Sequence, residues 1–455
     1  MEATDQSQGA PSRWGDSAWS LANTLCTMVA SFAGFLLASR WLGTEQIGRL
    51  ALVGAALFPL RFAELGLAGA VTRYVGAYHG GRTRSFVGQI VRLSWVLSLI
   101  AAVLMLALCA ALTPALLTGT LKGQDQAGLW HLAALLIATA LIQLMAAPLY
   151  GSLVGLKRFR LVYVAGTLIA LGQLAAVIPL ILNFGIAGLA MVQLGVQAAG
   201  FLVYAPALLR LHNNAEVEEA PLNRRAFLSF TLQFSFNSML TTLLEPVAKL
   251  IIGASTSLSL LGTFEVLWRI FVQLRTVLLA PLNPLGVEMI ALWKDKGAAL
   301  ESRYRLMVLS ALAAIGVLLA AAVPTHLAFD LIAAHKGGSN LLVALSVSLA
   351  MVFGFSTVPS YFLSLAANEV RPIIAGTLTI LGIQLAGNLL LPATLDWRAV
   401  MGIFVAAYAV GAVVQMALVQ RLLGFSVVPS PAALRQDARH ALSLARRVIF
   451  ARLGR

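Results

Sequence analysis

The chain is 455 residues long, 59% hydrophobic and only 11% charged, with a mean hydropathy of +0.87. Soluble domains carry about 25% charged residues, so a chain this apolar has too few polar side chains to coat a water-facing surface, and lipid must cover much of it. The net charge of +14 comes from basic residues grouped between apolar runs, which is the placement of the positive-inside rule and not of a nucleic-acid surface.

A membrane span needs about 20 apolar residues at a rise of about 1.5 Å each. Residues 1–17 hold one Arg and no apolar run, so they read as a short cytoplasmic N-terminus and not as a cleavable signal. Twelve candidate spans follow: 18–39, 46–70, 86–112, 129–154, 161–182, 186–210, 226–253, 257–291, 302–323, 340–366, 372–391 and 399–422. The eighth is long, holds several charges and contains Pro281 and Pro284, so a bend or break is expected there. Cys26 and Cys109 both fall inside apolar runs, without the spacing of a metal site or disulfide framework. With the N-terminus in the cytoplasm, 23 of the 32 Lys and Arg residues lie on the cytoplasmic side and 5 on the other, while Arg61, Lys249, Arg269 and Arg275 fall within spans. That bias places both termini in the cytoplasm and requires an even number of spans.

The chain repeats itself. Residues 165–172 (AGTLIALG) return as 375–382 (AGTLTILG), Pro148 and Tyr150 return as Pro359 and Tyr361, and Leu42-Gly43-Thr44 returns as Leu261-Gly262-Thr263. The order is kept and the offsets are nearly equal. This maps six spans onto six, so the expected fold is all-α, with about twelve transmembrane helices in two parallel six-helix lobes around a central cavity. The lobes are 18–210 and 226–422, joined by an acidic cytoplasmic linker, 211–225. Residues 423–455 form a tail whose apolar residues recur at helical spacing among arginines, as expected of an amphipathic helix on an anionic cytoplasmic leaflet.

The first hundred residues carry a family signature. Leu42-Gly43-Thr44-Glu45-Gln46-Ile47-Gly48 is followed by Glu64-Leu65-Gly66-Leu67 and by Thr72-Arg73-Tyr74-Val75, and Leu156-Lys157-Arg158-Phe159 precedes the fifth span. This resembles the polysaccharide (O-antigen type) flippase branch of the multidrug/oligosaccharidyl-lipid/polysaccharide exporter superfamily. The family usually has Asp where Glu64 stands and an aromatic residue where Ile47 stands. The resemblance implies a MATE-like fold, alternating access and basic cavity residues in spans 1, 2 and 8.

Ionisable side chains inside a bilayer are costly unless they pair or face a cavity. Glu245 and Lys249 in span 7, and Glu265 and Arg269 in span 8, are spaced i, i+4 and so lie on one helix face. Each pair is either a self-neutralising device or part of a cavity. Span 8 also holds Arg275, leaving two cations against one acid, and arginine binds phosphate bidentately. The expected headgroup-binding set is Arg269, Arg275, Arg61 and Lys249, with a lipid diphosphate as ligand. Glu64, Glu245 and Glu265 are candidate coupling sites for a proton or cation, and Glu64 is equally readable as a structural contact near Gly66. Asn23, Gln233 and Asn237, in the first span of each half, are candidates for hydrogen-bonding sugar hydroxyls. The other embedded amides, among them Gln143, Gln173 and Gln197, read as interhelical hydrogen bonds.

Neither a Walker A sequence nor a Gly-x-Ser-x-Gly or His-Glu-x-x-His motif occurs, so the chain is expected to be a transporter and not an enzyme, with no cofactor and no metal. The expected activity is flipping of an isoprenoid-diphosphate-linked oligosaccharide across the bacterial inner membrane. Its expected partners are that substrate, anionic lipids and polysaccharide-assembly enzymes. A cation-coupled exporter of small amphiphilic drugs and a membrane glycan polymerase or ligase are the alternatives. The polymerase usually has a large outer loop, and the longest here is only about 113–128.

Overall fold

The computed structural model describes residues 13–62, 67–77, 84–120, 126–156, 158–213, 224–279, 282–293, 297–333, 341–367, 369–390, 396–437 and 439. Every regular element among them is a helix, and each predicted span falls on one helix, part of one, or a broken series of them. Helix α1 (Arg13–Ala56) carries the first span and the start of the second. Gly43 divides it at φ 76°, ψ 161°, a backbone conformation that side chains with a Cβ rarely adopt. The Leu-Gly-Thr signature is therefore the corner between two spans.

The second span breaks again, which the sequence reading did not anticipate. Pro59 has no N–H to donate back along the helix, and the segment continues as α2 (Phe58–Phe62) and α3 (Leu67–Ala77). Helices α4 (Arg84–Thr120) and α5 (Gln126–Gly155) extend beyond the spans predicted for them, so they take in most of the expected outer loop 113–128. Helix α6 (Phe159–Asn213) holds the fifth and sixth spans, divided at Gly185 (φ 57°, ψ −132°).

Helix α7 (Arg224–Ser255) is followed by α8 (Leu258–Leu279) and α9 (Leu282–Leu292), which together cover the predicted eighth span; Pro281, where a bend or break is expected, lies outside the described residues. Helices α10 (Ala298–Ala320) and α11 (Ala322–Ala333) form the ninth span, interrupted one turn before Pro324 can remove a backbone bond. Helices α12 (Leu341–Ser356) and α13 (Val358–Ala366) form the tenth, α13 opening with Pro359 in its first turn. The last two spans are α14 (Arg371–Leu390) and α15 (Trp397–Leu423).

The helices gather into two compact units. The first runs to Gly262 and takes in residues 332–334, and the second holds Thr263–Leu331 and the residues from 335 on. In the first, α1 packs on α6, α6 and α3 pack on α5, and α7 packs on α1. Its core includes Val91, Leu149, Leu153, Val162, Tyr204 and Leu208. In the second, α14 and α12 pack on α15, α10 on α12, and α13 on α9. Phe264 and Trp268 of α8 stack on each other and meet Phe404 edge-on.

The outer surface is that of a multi-pass membrane protein. Val96, Leu99, Ile100, Val103 and Leu104 on α4 are each more than half exposed, and water would not tolerate a helix face so apolar. Eight of the described helices have the length and composition to cross a membrane.

The start of the tail folds back on the second unit. The Tyr304 hydroxyl of α10 donates to the Val427 carbonyl at 2.8 Å, Tyr304 and Phe425 meet edge to face at 5.0 Å, and Arg305 Nε lies 2.8 Å from Asp437 Oδ2. Residues 431–437 are helical, and residues 440–455, where the predicted amphipathic helix continues, lie outside the described residues.

Candidate functional site

Span 8 carries the second unit's predicted intramembrane arginines, Arg269 and Arg275. Glu265 is 2% exposed, and Arg269 Nε donates to its Oε1 at 2.6 Å. The i, i+4 spacing read from the sequence thus closes as an ion pair within α8. Arg275 lies six residues further along the helix. Its Nε is buried without a hydrogen-bond partner among the described residues. Tyr361 of α13 and Tyr408 of α15 lie within its electrostatic range, so the surroundings include phenols. A guanidinium in this position keeps donors available for an incoming anion. The two arginines are therefore in different chemical situations.

In the first unit, Lys249 Nζ donates to Glu245 Oε1 within α7. The Lys249 side chain is only 6% exposed and that of Glu245 is 32% exposed. Glu288 of α9, at the end of the eighth span, pairs with Arg303 at 2.9 Å on the surface. Glu64 lies outside the described residues, as do the side chains of Arg61, Gln233 and Asn237.

The first unit also holds a partly open cavity of about 350 Å³. Four helical faces build most of it, with Ala68 of α3 as a fifth contact. Asn23 and Thr27 come from α1. Gln143, Ala147 and Tyr150 come from α5, at positions i, i+4 and i+7. Gly166, Ala170 and Gln173 come from the first half of α6 at the same spacing, and Gln197, Gly200 and Tyr204 come from its second half. The break at Gly185 lets both halves of α6 serve one cavity. Gly166 is required by close approach, since a Cβ there would stand 2.4 Å from Asn23 Oδ1. That oxygen is itself buried without a hydrogen-bond partner among the described residues. Of the sugar-binding candidates read from the sequence, Asn23 is placed at this cavity, and the side chains of Gln233 and Asn237 lie outside the described residues. Gln143, Gln173 and Gln197, read as interhelical hydrogen bonds, line it too. The signal that could have found them is the one-face spacing of Gln143 with Tyr150 and of Gly166 with Gln173.

Solved structures share this fold. An inward-facing multidrug resistance MATE family transporter of the MOP superfamily aligns with a TM-score of 0.62 at 17% identity, over 92% of this chain and 96% of the other. The lipid II flippase MurJ in an inward closed conformation aligns with a TM-score of 0.67 at 10% identity, over 96% and 93%. A MOP superfamily transporter from Pyrococcus furiosus aligns with a TM-score of 0.54 at 17% identity, over 91% and 93%. No curated protein matches the sequence. Residues 14–288, more than half of the chain, match the family described as polysaccharide biosynthesis protein, and with the MOP-type fold around them the chain belongs to that family.

Proposed function

We propose that this protein moves an isoprenoid-diphosphate-linked oligosaccharide across the bacterial inner membrane by alternating access, with twelve crossings and both termini in the cytoplasm. The observation that carries the reading is Arg275, a cation within a predicted span whose buried Nε has no hydrogen-bond partner among the described residues. A lone charge at that depth is expensive, and a ligand that supplies two phosphates offsets the cost while using the guanidinium fork. Arg269 lies on the same helix with its charge offset by Glu265, so the reading gives it a secondary role. Membership of a polysaccharide biosynthesis family favours a glycan as the cargo, and a lipid II flippase among the structural neighbours favours a lipid-linked one. The reading also assigns the protein no catalysis of its own, with cargo supplied by glycan-assembly enzymes.

The test is complementation. A strain lacking the gene regains surface glycan with the wild-type chain and does not regain it with Arg275→Gln, although that variant reaches the membrane at normal abundance. Full export by Arg275→Gln contradicts the headgroup role. A strain whose glycan is intact but whose sensitivity to amphiphilic cations has risen points instead to the drug-exporter reading.

A further inference from the structure

We infer that the cavity of the first unit is a saccharide subsite for an uncharged part of the glycan, separate from the arginine that meets the diphosphate. The inference rests on the lipid-linked oligosaccharide reading and adds to it a second binding element of different chemistry.

The chemistry of the wall is specific. Asn23, Gln143, Gln173 and Gln197 place four carboxamides at one cavity, and Tyr150 and Tyr204 add two aromatic rings in edge-to-face contact at 6.0 Å. None of the described residues lining it is charged. A carboxamide offers two donors and a two-lone-pair acceptor, which matches a hydroxyl that both gives and takes a hydrogen bond. An aromatic face matches the C–H side of a sugar ring. An anionic group would find no cation here, and a purely apolar guest would strand the amides away from water. The volume of about 350 Å³ falls within the range of about 300–1,000 Å³ usual for small-molecule sites. The buried Asn23 Oδ1, without a hydrogen-bond partner among the described residues, is an acceptor for a ligand hydroxyl.

The internal repeat sets this wall beside its counterpart in the other half. Gly166 and Gly376 are repeat mates. At Gly376 the neighbouring helix lies directly against the glycine, so that a Cβ would meet Gln415 Cβ at 2.9 Å and the Gly411 carbonyl at 3.1 Å. At Gly166 the close neighbour is the Asn23 amide, and the same helix face lines the cavity. Tyr150 and Tyr361 are repeat mates as well. Tyr150 lines the neutral cavity, whereas Tyr361 stands within range of Arg275. One repeat has kept a neutral polar cavity and the other an arginine.

The experiment uses the purified full chain in lipid nanodiscs and two probes: a panel of neutral di- to tetrasaccharides of hexoses and N-acetylhexosamines, and farnesyl diphosphate. Binding is read from dose-dependent shifts of the unfolding midpoint. At least one saccharide is expected to bind the wild type. Its affinity is expected to fall at least tenfold in Gln173→Leu and in Gly166→Leu, and to stay unchanged in Arg275→Gln. Farnesyl diphosphate is expected to show the reverse pattern. Gln173→Leu nearly conserves volume, so it keeps the test valid should Gly166→Leu fail to fold. The inference is overturned if no saccharide binds, if both cavity variants bind as the wild type does, or if sodium ions alone produce the stabilisation. Failure of farnesyl diphosphate to bind, with the saccharide pattern intact, strikes the headgroup reading instead.

Discussion

The crossing of α1 and α8 within the first unit gives the most quantitative prediction. Gly48 of α1 and Gly262 of α8 bring two backbones together, so that a Cβ at Gly48 would stand 1.9 Å from the Leu258 carbonyl oxygen and one at Gly262 would stand 1.8 Å from that of Thr44. Neither obstacle is a side chain that can rotate away. Reaching the 3.4 Å at which ordinary contact begins requires the helices to part by about 1.5 Å. Small residues permit such close packing in membranes, and overpacking costs about 1–3 kcal/mol, with rigid backbone at the upper end. Parting the helices also threatens the Thr44–Ser259 hydroxyl hydrogen bond at 2.8 Å, worth about 0.6 kcal/mol in a membrane bundle. Gly48→Ala is therefore expected to destabilise by about 2–4 kcal/mol, and Gly262→Ala by a similar amount. The double variant should cost much less than the sum, because helices already parted for one methyl accommodate the second. Gly54→Ala is the control. It has no atom within 4 Å of the added Cβ, and helix propensity predicts a gain of up to about 1 kcal/mol. Equilibrium unfolding of the purified chain in mixed micelles measures all four. Wild-type stability of Gly48→Ala, or strict additivity in the double variant, would refute the reasoning.

Three further predictions rest on other parts of the chain. Arg269→Gln removes the guanidinium that pairs with Glu265, which is 2% exposed; membrane abundance should drop, with a loss below the ~3–5 kcal/mol of a fully buried pair, and Glu265→Gln in the same chain should restore it, as immunoblotting of membranes will show. Tyr304→Phe removes the hydrogen bond to the Val427 carbonyl and should cost about 1 kcal/mol, with faster proteolysis near residue 427. The Arg371 hydrogen bonds hold the Glu369 carboxyl below its usual value of 4.5. A depressed carboxyl stabilises the fold above its unfolded pKa and loses that contribution as pH falls through the folded one. The unfolding midpoints of the wild type and Glu369→Gln should thus differ at pH 7 and converge below pH 4.5; a constant difference across that window would contradict the pairing.

Much of the fold was legible because it is written in one-dimensional patterns. Apolar length located the helices. The spacing of Glu245–Lys249 and Glu265–Arg269 foretold pairs that local helix geometry alone can close. What depends on tertiary neighbours was not legible. The isolation of Arg275 from the paired Arg269 follows from which side chains α13 and α15 bring near. The Gly48–Gly262 crossing and the role of Gly166 follow from backbone approach between segments distant in sequence. The amides of α5 and α6 were assigned to helix contacts because polarity alone does not tell a cavity from an interface.

The central claim is tested most directly by reconstitution. Proteoliposomes are loaded in one leaflet with a fluorescent isoprenoid-diphosphate oligosaccharide, and its appearance in the other leaflet is followed by quenching with a membrane-impermeant reductant. The account predicts protein-dependent transfer by the wild type and none by Arg275→Gln. Transfer equal to that of protein-free liposomes, from a preparation that moves cationic dyes, would contradict it.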